Sequence, residues 1–455
     1  MSDRRENPNT YLLVPIALIA VLLGIAVIRG PSLVSLSGFG SAILVAAPLI
    51  MATYALMSLA VAGRGTVDLA VGPLVAFINV TVVKLNGLGI LNGPIAVFIV
   101  ALGIGVLYQV VFALLILFVR VQPIIVALSG FLALTGINLV ILPRPGGTAP
   151  EWMADWGSGT TIFSPILLMI AIATAGWLLF TLTPFYANLR LMGYDERAAY
   201  TAGVRIYLAR IGAHVIAGLF VGIGALCYTS LIASGDPTQG TTLTLTSVTA
   251  LVLGGVSLSG GRGGVVGALL GAVNLFLIGY VLATFDFGAI QAFVTQLFYG
   301  VILVLSLLLT LLVPVVGRHI SFISPYGAFV VLAVVVVGIM LQVSTQDATL
   351  ALGGAQEAAA GVPAPLGDLA TRYFLLPQAS GEAAGGLGLS PLQQVLLGGA
   401  LALGFIVLVL RSMVAEAAAL RLGLFLYVFI GSLIVLLLLV VGHQSHAEAL
   451  LGLRP

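Results

Sequence analysis

Very few residues in this sequence carry side chains that could do chemistry. The 455 residues include 17 Lys and Arg, 15 Asp and Glu and one Cys, and 60% of the chain is hydrophobic. Cys227 alone cannot form an internal disulfide, and no Cys/His cluster has the spacing of zinc ligands. A net charge of +2 without a basic stripe excludes a nucleic-acid binder. We expect the histidines at membrane edges or on the surface, without a chemical role: His214, His319, His443 and His446.

Three short segments interrupt the apolar sequence, and the first of them carries a carboxylate. Asp68 stands in the run G-R-G-T-V-D-L-A-V-G from Gly63 to Gly72, directly before an apolar segment. A charge at the centre of a membrane helix costs about 2.5–3.5 kcal/mol, so its position needs a reason. Asp68 could cap the first turn of the following helix, or it could belong to a substrate or proton site. The sequence favours the cap and leaves both interpretations open.

The second segment is a polar loop over residues 184–210. Within it, the stretch from Asn188 to Val204 is typical of a short helix, with Asp195 suited to the N-cap and Gly203 placed to end it. A capped helix in a loop predicts a contact with a partner. An ordinary solvated connector has the same composition, so this alternative stays open.

The third segment is a glycine-rich run from Gly254 to Gly264. It has no G-x-x-x-x-G-K-[ST] pattern and no Lys that could reach a phosphate, so the sequence does not predict nucleotide binding. The glycines indicate close packing instead. Gly263, Gly267 and Gly271 recur every four residues and leave one face of the next helix bare, which predicts a close helix crossing.

Polar residues inside the apolar segments are few and almost all uncharged. Asn79, Gln109 and Asn138 are candidates for a translocation path, although such residues also hydrogen-bond to neighbouring helices. Apart from Asp68, no Asp or Glu falls within the core segments. This composition disfavours both an ion-coupled carrier and an intramembrane enzyme, whereas a passive channel remains compatible with it.

The apolar segments that must position these residues predict an all-α polytopic membrane protein. A membrane-spanning helix needs about 20 apolar residues, so we predict about ten core transmembrane segments, one of them short or re-entrant, and about three more at the C-terminal end. The core segments are 11–28, 42–62, 69–83, 94–119, 122–142, 164–182, 209–232, the short 243–256, 265–285 and 290–313. The C-terminal segments are 326–343, 391–411 and 421–441.

Basic residues orient these segments. With the N-terminus in the cytoplasm, five of the 17 Lys and Arg face outward, in agreement with the positive-inside rule: Arg29, Lys84, Arg144, Arg372 and Arg454. The three polar segments then lie on the cytoplasmic side. The stretch 344–390, rich in Gly, Ala and Pro, is predicted to be an external loop.

Taken in order, the three polar segments resemble the permease subunits of bacterial ABC importers of the ribose and simple-sugar type, in the superfamily that includes branched-chain amino acid permeases. The family motif G-G-I-D-L-S-V-G is matched in part at Gly65–Gly72, which keeps its Asp, Leu, Val and last Gly and has Thr66 in place of the second glycine. The coupling segment G-x-N-x-x-A-A-x-x-x-G-I is matched at Gly193–Val204, with Asp195 in place of Asn. The motif L-G-G-x-S-L-x-G-G-x-G is matched at Leu253–Gly263.

The resemblance implies a transport subunit without enzymatic activity or cofactor, with ATP hydrolysed on partner subunits. The implied partners are a second permease subunit, two cytoplasmic ABC ATPase subunits and an extracytoplasmic solute-binding protein, assembled in the bacterial cytoplasmic membrane. The resemblance assigns coupling to the ATPase to Gly193, Asp195, Glu196, Arg197, Ala198, Ala199 and Gly203. Together with the polar residues inside the segments, the motifs nominate Asp68, Gly72, Asn79, Gln109, Asn138, Gly254, Gly255, Ser257, Gly260 and Gly261 for the translocation path.

The resemblance covers residues 41–318, and the expected organisation follows from it. Residues 1–40 would form an N-terminal tail and the first transmembrane helix, and 41–318 the permease core with the coupling loop 184–210. Residues 319–455 would form an extension with three transmembrane helices and the loop 344–390. A sugar is the expected solute. Amino-acid or nucleoside uptake is the alternative within the superfamily, and a stand-alone channel or carrier is the alternative outside it.

Overall fold

The computed structural model describes residues 12–29, 33, 35–63, 67–91, 93–158, 164–285, 294, 295, 297–301 and 304. These residues form α-helices and no β-strand. The helices are α1 (Leu13–Arg29), α2 (Leu36–Ala62), α3 (Val71–Gly87), α4 (Pro94–Leu114), α5 (Pro123–Ile141), α6 (Glu151–Ser158), α7 (Pro165–Phe180), α8 (Pro184–Tyr194), α9 (Glu196–Thr201), α10 (Ile206–Ile232), α11 (Gly240–Leu253) and α12 (Val265–Ala283). A π-helical turn, Leu115–Val119, extends α4.

Five helices in the described part are long and apolar enough to cross a membrane: α2, α4 with its π turn, α5, α10 and α12. The pair α7 and α8, bent by 75°, makes a sixth if it is one broken span. The predicted helical membrane fold is therefore confirmed, while the predicted numbers of segments stay a prediction. Most of segment 290–313 and all of 326–343, 391–411, 421–441 and the loop 344–390 lie outside the described residues, as do Arg64, Gly65 and Thr66 of the first motif.

Helix boundaries follow the local sequence. Proline occupies the first turn of α4, α5 and α8, where its missing N–H is not needed. The π turn after α4 ends at Arg120, whose φ of 59° reverses the chain. The short segment predicted at 243–256 is α11, and its 14 residues are too few to cross a bilayer, as expected.

The most extensive helix contact in the described part is between α4 and α10, and glycines make it possible. A Cβ on Gly218 of α10 would lie 2.6 Å from the Cα of Val106 in α4, and a Cβ on Gly105 of α4 would overlap the carbonyl oxygen of Gly218. A Cβ on Gly222 of α10 would likewise lie 2.9 Å from the carbonyl oxygen of Ala101 in α4. Small residues at such a contact let two backbones approach closely.

The chain divides into two compact units. One comprises Met1–Gly30, Ala42–Gly157 and Ile166–Phe329, and it contains all the contacts that follow. The other unit comprises Pro31–Ser41, Ser158–Pro165 and Val330–Pro455. In this unit the Ser35 hydroxyl accepts a hydrogen bond from the Gly38 amide over 3.0 Å and caps the first turn of α2. Within the first unit, α10 has 27 residues and a length of about 40 Å. The polar contacts described below lie near its two ends.

Candidate functional site

The three polar segments of the sequence meet at one point, where main chains touch without side chains between them. Gly63 follows α2, Gly193 lies near the end of α8, and Gly260 and Gly261 precede α12. The Gly261 amide donates to the Val61 carbonyl over 3.2 Å. A Cβ on Gly260 would lie 2.5 Å from both the Gly193 oxygen and the Gly63 Cα, so a larger residue does not fit. We call the contact of Gly63, Gly193, Gly260 and Gly261 the glycine junction.

Beside the glycine junction, α9 is a short capped helix. The Asp195 carboxylate accepts from the amides of Arg197, at 2.9 Å, and Ala198, at 3.1 Å. Gly203, with a φ of 86°, ends the helix, and its amide donates to the Tyr200 carbonyl over 3.0 Å. The prediction of Asp195 as N-cap is confirmed, and Gly203 follows the C-cap Ala202. The prediction of one helix over Asn188–Val204 is wrong, because Asp195 separates α8, which ends at Tyr194, from α9. Its role in coupling stays a prediction.

Large side chains are exposed around α9. Tyr194, Tyr200 and Tyr207 are 54%, 74% and 52% exposed, and Arg197 and Ala198 are exposed beside them. Clusters of exposed aromatic residues mark protein contact surfaces, because they bury a large area when a partner covers them. Sequence reasoning missed these tyrosines, although Tyr194 and Tyr200 stand within the predicted helix and Tyr207 shortly after it.

An ion pair joins α9 to the beginning of α10. Arg210 Nη2 lies 3.3 Å from Glu196 Oε2, and the two side chains are 3% and 27% exposed. A buried guanidinium that lost its counter-ion would be left as an uncompensated charge, at a cost of about 3–5 kcal/mol. The ion pair therefore holds the coupling segment and the first turns of α10 together.

A buried chain of hydrogen bonds starts at Asp68. Its Oδ2 accepts from Gln109 Nε2 over 2.6 Å, and Gln109 Oε1 lies 2.7 Å from His214 Nδ1. Its Oδ1 accepts from the Ala70 amide over 2.8 Å. Because α3 begins only at Val71, with no side-chain bond at its N-cap, the expected cap on the first turn of α3 is wrong. Asp68 instead closes the turn before the helix and joins α4.

His214 corrects a second expectation. The predicted position at a membrane edge or on the surface is wrong for this histidine, which is 1% exposed within α10 and lies 5.1 Å from the Phe112 ring. A buried imidazole needs a hydrogen-bond partner, and Gln109 supplies one. The available signal was its position inside the predicted span 209–232. His319, His443 and His446 lie outside the described residues.

The first turns of α3 and α11 meet inside the molecule. The Gly72 amide donates to the Thr244 hydroxyl over 2.9 Å, and a Cβ on Gly72 would overlap the carbonyl oxygen of Gly240. Asn138 of α5 donates to the Pro73 carbonyl over 3.0 Å from the other side. The structure thus brings the predicted path residues Gly72 and Asn138 to the same place, where α3 and α11 begin.

The predicted glycine crossing lies between α11 and α12. A Cβ on Gly254 would overlap the Gly267 carbonyl oxygen, and one on Gly271 would overlap that of Ala250. The close crossing is confirmed for Gly267 and Gly271. Gly263 is not part of the helical face, because α12 begins at Val265 and Gly263 has a φ of 120° in the preceding loop.

Gly255 and Ser257 shape the loop between these two helices. Gly255 has a φ of 74°, a conformation that favours glycine. The Ser257 amide donates to the Arg262 carbonyl over 3.1 Å, and its hydroxyl lies 2.7 Å from that of Ser259. This loop therefore presents Gly260 and Gly261 to the glycine junction.

Asn79 lies apart from the other predicted path residues, near the far end of α10. Its amide nitrogen donates to the Thr229 hydroxyl over 3.0 Å and to the Ser234 carbonyl over 2.9 Å. Its oxygen accepts from the Asp236 amide over 2.8 Å. All hydrogen-bonding atoms of this buried side chain thus hold the loop between α10 and α11 against α3.

Comparison with known proteins finds a family and several relatives to which the chain is similar. The family model described as branched-chain amino acid transport system / permease component matches residues 41–307. Over 318 residues the chain is 26% identical to the ribose import permease protein RbsC of Escherichia coli K12, covering 68% of this chain and 97% of the relative. Over 303 residues it is 27% identical to the probable ABC transporter permease protein YphD of the same organism, covering 65% and 88%.

A further relative imports a different small molecule. The autoinducer 2 import system permease protein LsrD of Photorhabdus luminescens is 26% identical over 267 residues, which cover 56% of this chain and 76% of the relative. No solved structure matches the chain significantly. The matched region contains every element of the glycine junction and of the buried chain of hydrogen bonds.

Proposed function

The chain belongs to the family of branched-chain amino acid transport system permease components, and from this membership we propose that it is the membrane subunit of an ATP-driven ABC importer. The proposed solute is small and polar, of the sugar type, and moves inward across the bacterial cytoplasmic membrane. Relatives named for the import of ribose and of autoinducer 2 support a sugar-like solute.

One observation carries the proposal: a short capped helix, α9, stands among exposed tyrosines beside the glycine junction. The 74% exposed Tyr200 follows directly on the buried Ala199, so α9 has one side fixed to the protein and one side open. A rigid helix with an aromatic rim suits a groove on a partner protein, because little side-chain entropy is lost on binding. We assign this surface to the ATPase.

The driving force comes from outside this subunit. The sequence contains no phosphate-binding G-x-x-x-x-G-K-[ST] motif. The five long membrane-spanning helices of the described part contain no Asp or Glu that could couple transport to protons or sodium. Transport therefore proceeds by a mechanical shift between inward-open and outward-open states, which ATP binding and hydrolysis on the partner drive.

The proposed assembly contains two permease subunits, two cytoplasmic ATPase subunits and one extracytoplasmic solute-binding protein, with the N-terminus of this chain in the cytoplasm. The glycine junction then faces the cytoplasm. The loop that Asn79 holds faces the opposite side, where the solute-binding protein docks. The extension 319–455, with three transmembrane helices, stays a prediction without an assigned role.

The alternatives differ in what they require of the partners. Amino-acid or nucleoside import needs the same ATPase surface and differs only in the ligand of the solute-binding protein, so calorimetric binding to that protein decides between them. A stand-alone channel or carrier needs no partner at α9, and the exposed tyrosines would then have no function.

Co-purification of the full-length chain with its ATPase subunits tests the proposal. Truncating Tyr200 to alanine is expected to weaken ATPase binding by more than about 1 kcal/mol, that is about fivefold in dissociation constant. Leu88→Ala is the matched control. Leu88 is also exposed, at 61%, but it follows the C-terminal end of α3, away from α9. Unchanged binding in Tyr200→Ala, or an equal loss in Leu88→Ala, would remove α9 as the ATPase surface.

A further inference from the structure

A series of polar residues, linked partly by direct contacts and partly through the backbone of α10, leads from α9 into the membrane part of the protein. It begins at the ion pair between Glu196 and Arg210, at 3.3 Å. Arg210 and His214 lie one helical turn apart on the same face of α10. His214 Nδ1 lies 2.7 Å from Gln109 Oε1, and Gln109 Nε2 donates to Asp68 Oδ2 over 2.6 Å. We call Glu196, Arg210, His214, Gln109 and Asp68 the polar series.

The donors and acceptors at the inner end of the polar series are arranged in one direction. An ionised carboxylate only accepts, so Gln109 turns its NH2 group toward Asp68 and its carbonyl oxygen toward His214. That oxygen requires a proton on Nδ1 of His214, which selects one tautomer of the neutral imidazole. A change in the position or protonation of Asp68 therefore alters the hydrogen bond of His214 through Gln109, and a change at His214 alters that of Asp68.

Burial makes each contact of the polar series costly to lose. Asp68 and Gln109 are 0% exposed, His214 is 1% exposed and Arg210 is 3% exposed. In such surroundings a polar group without a partner is strongly unfavourable, and a charge without its counter-ion is more so. When a partner moves α9, the Arg210 guanidinium must follow Glu196, and α10 carries His214 with it.

The inner end of the polar series lies where two short helices meet. Asp68 Oδ1 accepts from the amide of Ala70, the residue that precedes α3. Two residues later, the Gly72 amide donates to the Thr244 hydroxyl of α11 over 2.9 Å. A displacement at Asp68 therefore reaches the contact between the first turns of α3 and α11.

We propose that His214 is a positioning residue that ties the coupling helix α9 to the turn before α3, so that movement of the ATPase changes the contact between α3 and α11. The inference rests on the proposed function, because it requires an ATPase that moves α9. The hydrogen bond from His214 Nδ1 to Gln109 is the contact that transmits the movement.

Two substitutions of His214 separate this role from simple packing. In His214→Asn the side-chain amide nitrogen takes the place of Nδ1 and keeps the bond to Gln109, whereas His214→Leu fills the space without a donor. Thr174→Val is the matched control, because it removes a buried hydrogen bond to Tyr54 that belongs neither to the polar series nor to the loop that Asn79 holds. The measurements are the amount of ATPase bound and the solute imported per ATP hydrolysed, with full-length protein reconstituted with its partners.

We expect His214→Leu to bind as much ATPase as the wild type and to import about tenfold less solute per ATP. His214→Asn and Thr174→Val are expected to stay within about twofold of the wild type. Wild-type import per ATP in His214→Leu, or an equal loss in either of the other two variants, overturns the inference. A wild type without any ATP-dependent import overturns the proposed function, and this inference with it.

Glu196→Gln tests the same series from its partly exposed end: the Gln oxygen can still accept from the Arg210 guanidinium, but the counter-charge is lost. We expect import per ATP to fall several-fold with ATPase binding retained, and we expect no further loss when Glu196→Gln is combined with His214→Leu. Additive losses show that the two residues act independently and overturn the inference. Unchanged import per ATP in Glu196→Gln overturns the inference as well. This single variant decides the question even if His214→Leu fails to assemble.

Discussion

Replacing Gly193 by alanine is expected to open the glycine junction. The added Cβ would overlap the Val61 carbonyl oxygen and lie 2.6 Å from the Gly261 amide nitrogen. Both are main-chain atoms, which cannot rotate away as a side chain would. Overpacking of this kind costs about 1–3 kcal/mol, against a gain of at most about 1 kcal/mol from replacing glycine by alanine in a helix. With that full gain subtracted, the net expectation is a folded state destabilised by up to about 2 kcal/mol.

The assay compares thermal unfolding of the detergent-purified variants with ATP-dependent import in proteoliposomes. Gly176→Ala is the matched control, because Gly176 lies in α7 and its Cβ would meet nothing within 4 Å. We expect Gly193→Ala to lower the melting temperature and to reduce import by more than the loss of folded protein explains. Gly176→Ala should leave both at or above the wild-type values, since alanine favours the helix.

Two results would refute this reasoning. If Gly193→Ala has the stability and import of the wild type, the close approach of the three segments is not needed. If Gly176→Ala is as harmful as Gly193→Ala, helical glycines matter here for a reason other than contact at the junction.

Three further predictions concern the other polar contacts. Asp68→Asn keeps one acceptor where two are used, so we expect a loss of about 1–3 kcal/mol in stability and less assembled protein; full assembly with loss of transport would assign Asp68 to the transport step instead. Asn79→Leu leaves the Asp236 amide and the Ser234 carbonyl without their bonds, and we expect weaker stimulation of ATPase activity by the solute-binding protein; unchanged stimulation would contradict a role for this loop. Replacing Glu196–Ala199 with Gly-Ser residues should leave membrane insertion intact but abolish import coupled to ATP hydrolysis, and unchanged uptake in vesicles would remove this stretch from the mechanism.

The membrane helices were predictable because their signal is local. The segment predicted at 94–119 has the bounds of α4 with its π turn, and 265–285 matches α12 to within two residues. In both cases the apolar run is as long as a span and ends at proline, glycine or charge. The segment 243–256 begins three residues earlier than predicted, as α11. There the Thr244 hydroxyl bonds back to the Gly240 carbonyl, which lets a polar stretch join the helix.

The convergence of the three motifs was not predictable from their sequences. Gly63, Gly193 and Gly260 are far apart along the chain, and each alone indicates only a turn or a close contact. The packing of α2, α8 and the loop before α12 decides which main chain each glycine contacts. The resemblance to a family placed these motifs in order, but it carried no distances.

The buried chain of hydrogen bonds was missed for a related reason. Gln109 and Asp68 were both candidates, yet nothing in the sequence pairs residues 41 positions apart. His214 was assigned to the surface because histidine is polar and common at membrane edges. Its burial follows from the glycine crossing of α4 and α10, which brings Gln109 within reach and gives the imidazole a partner.

The most direct test of the central claim is solute accumulation in proteoliposomes made with the full-length chain, with and without its ATPase subunits and solute-binding protein. We expect accumulation against a gradient only when both partners and ATP on the ATPase side are present. Accumulation by the chain alone, driven by a proton or sodium gradient or by no added energy source, would contradict a passive subunit moved by a cytoplasmic motor.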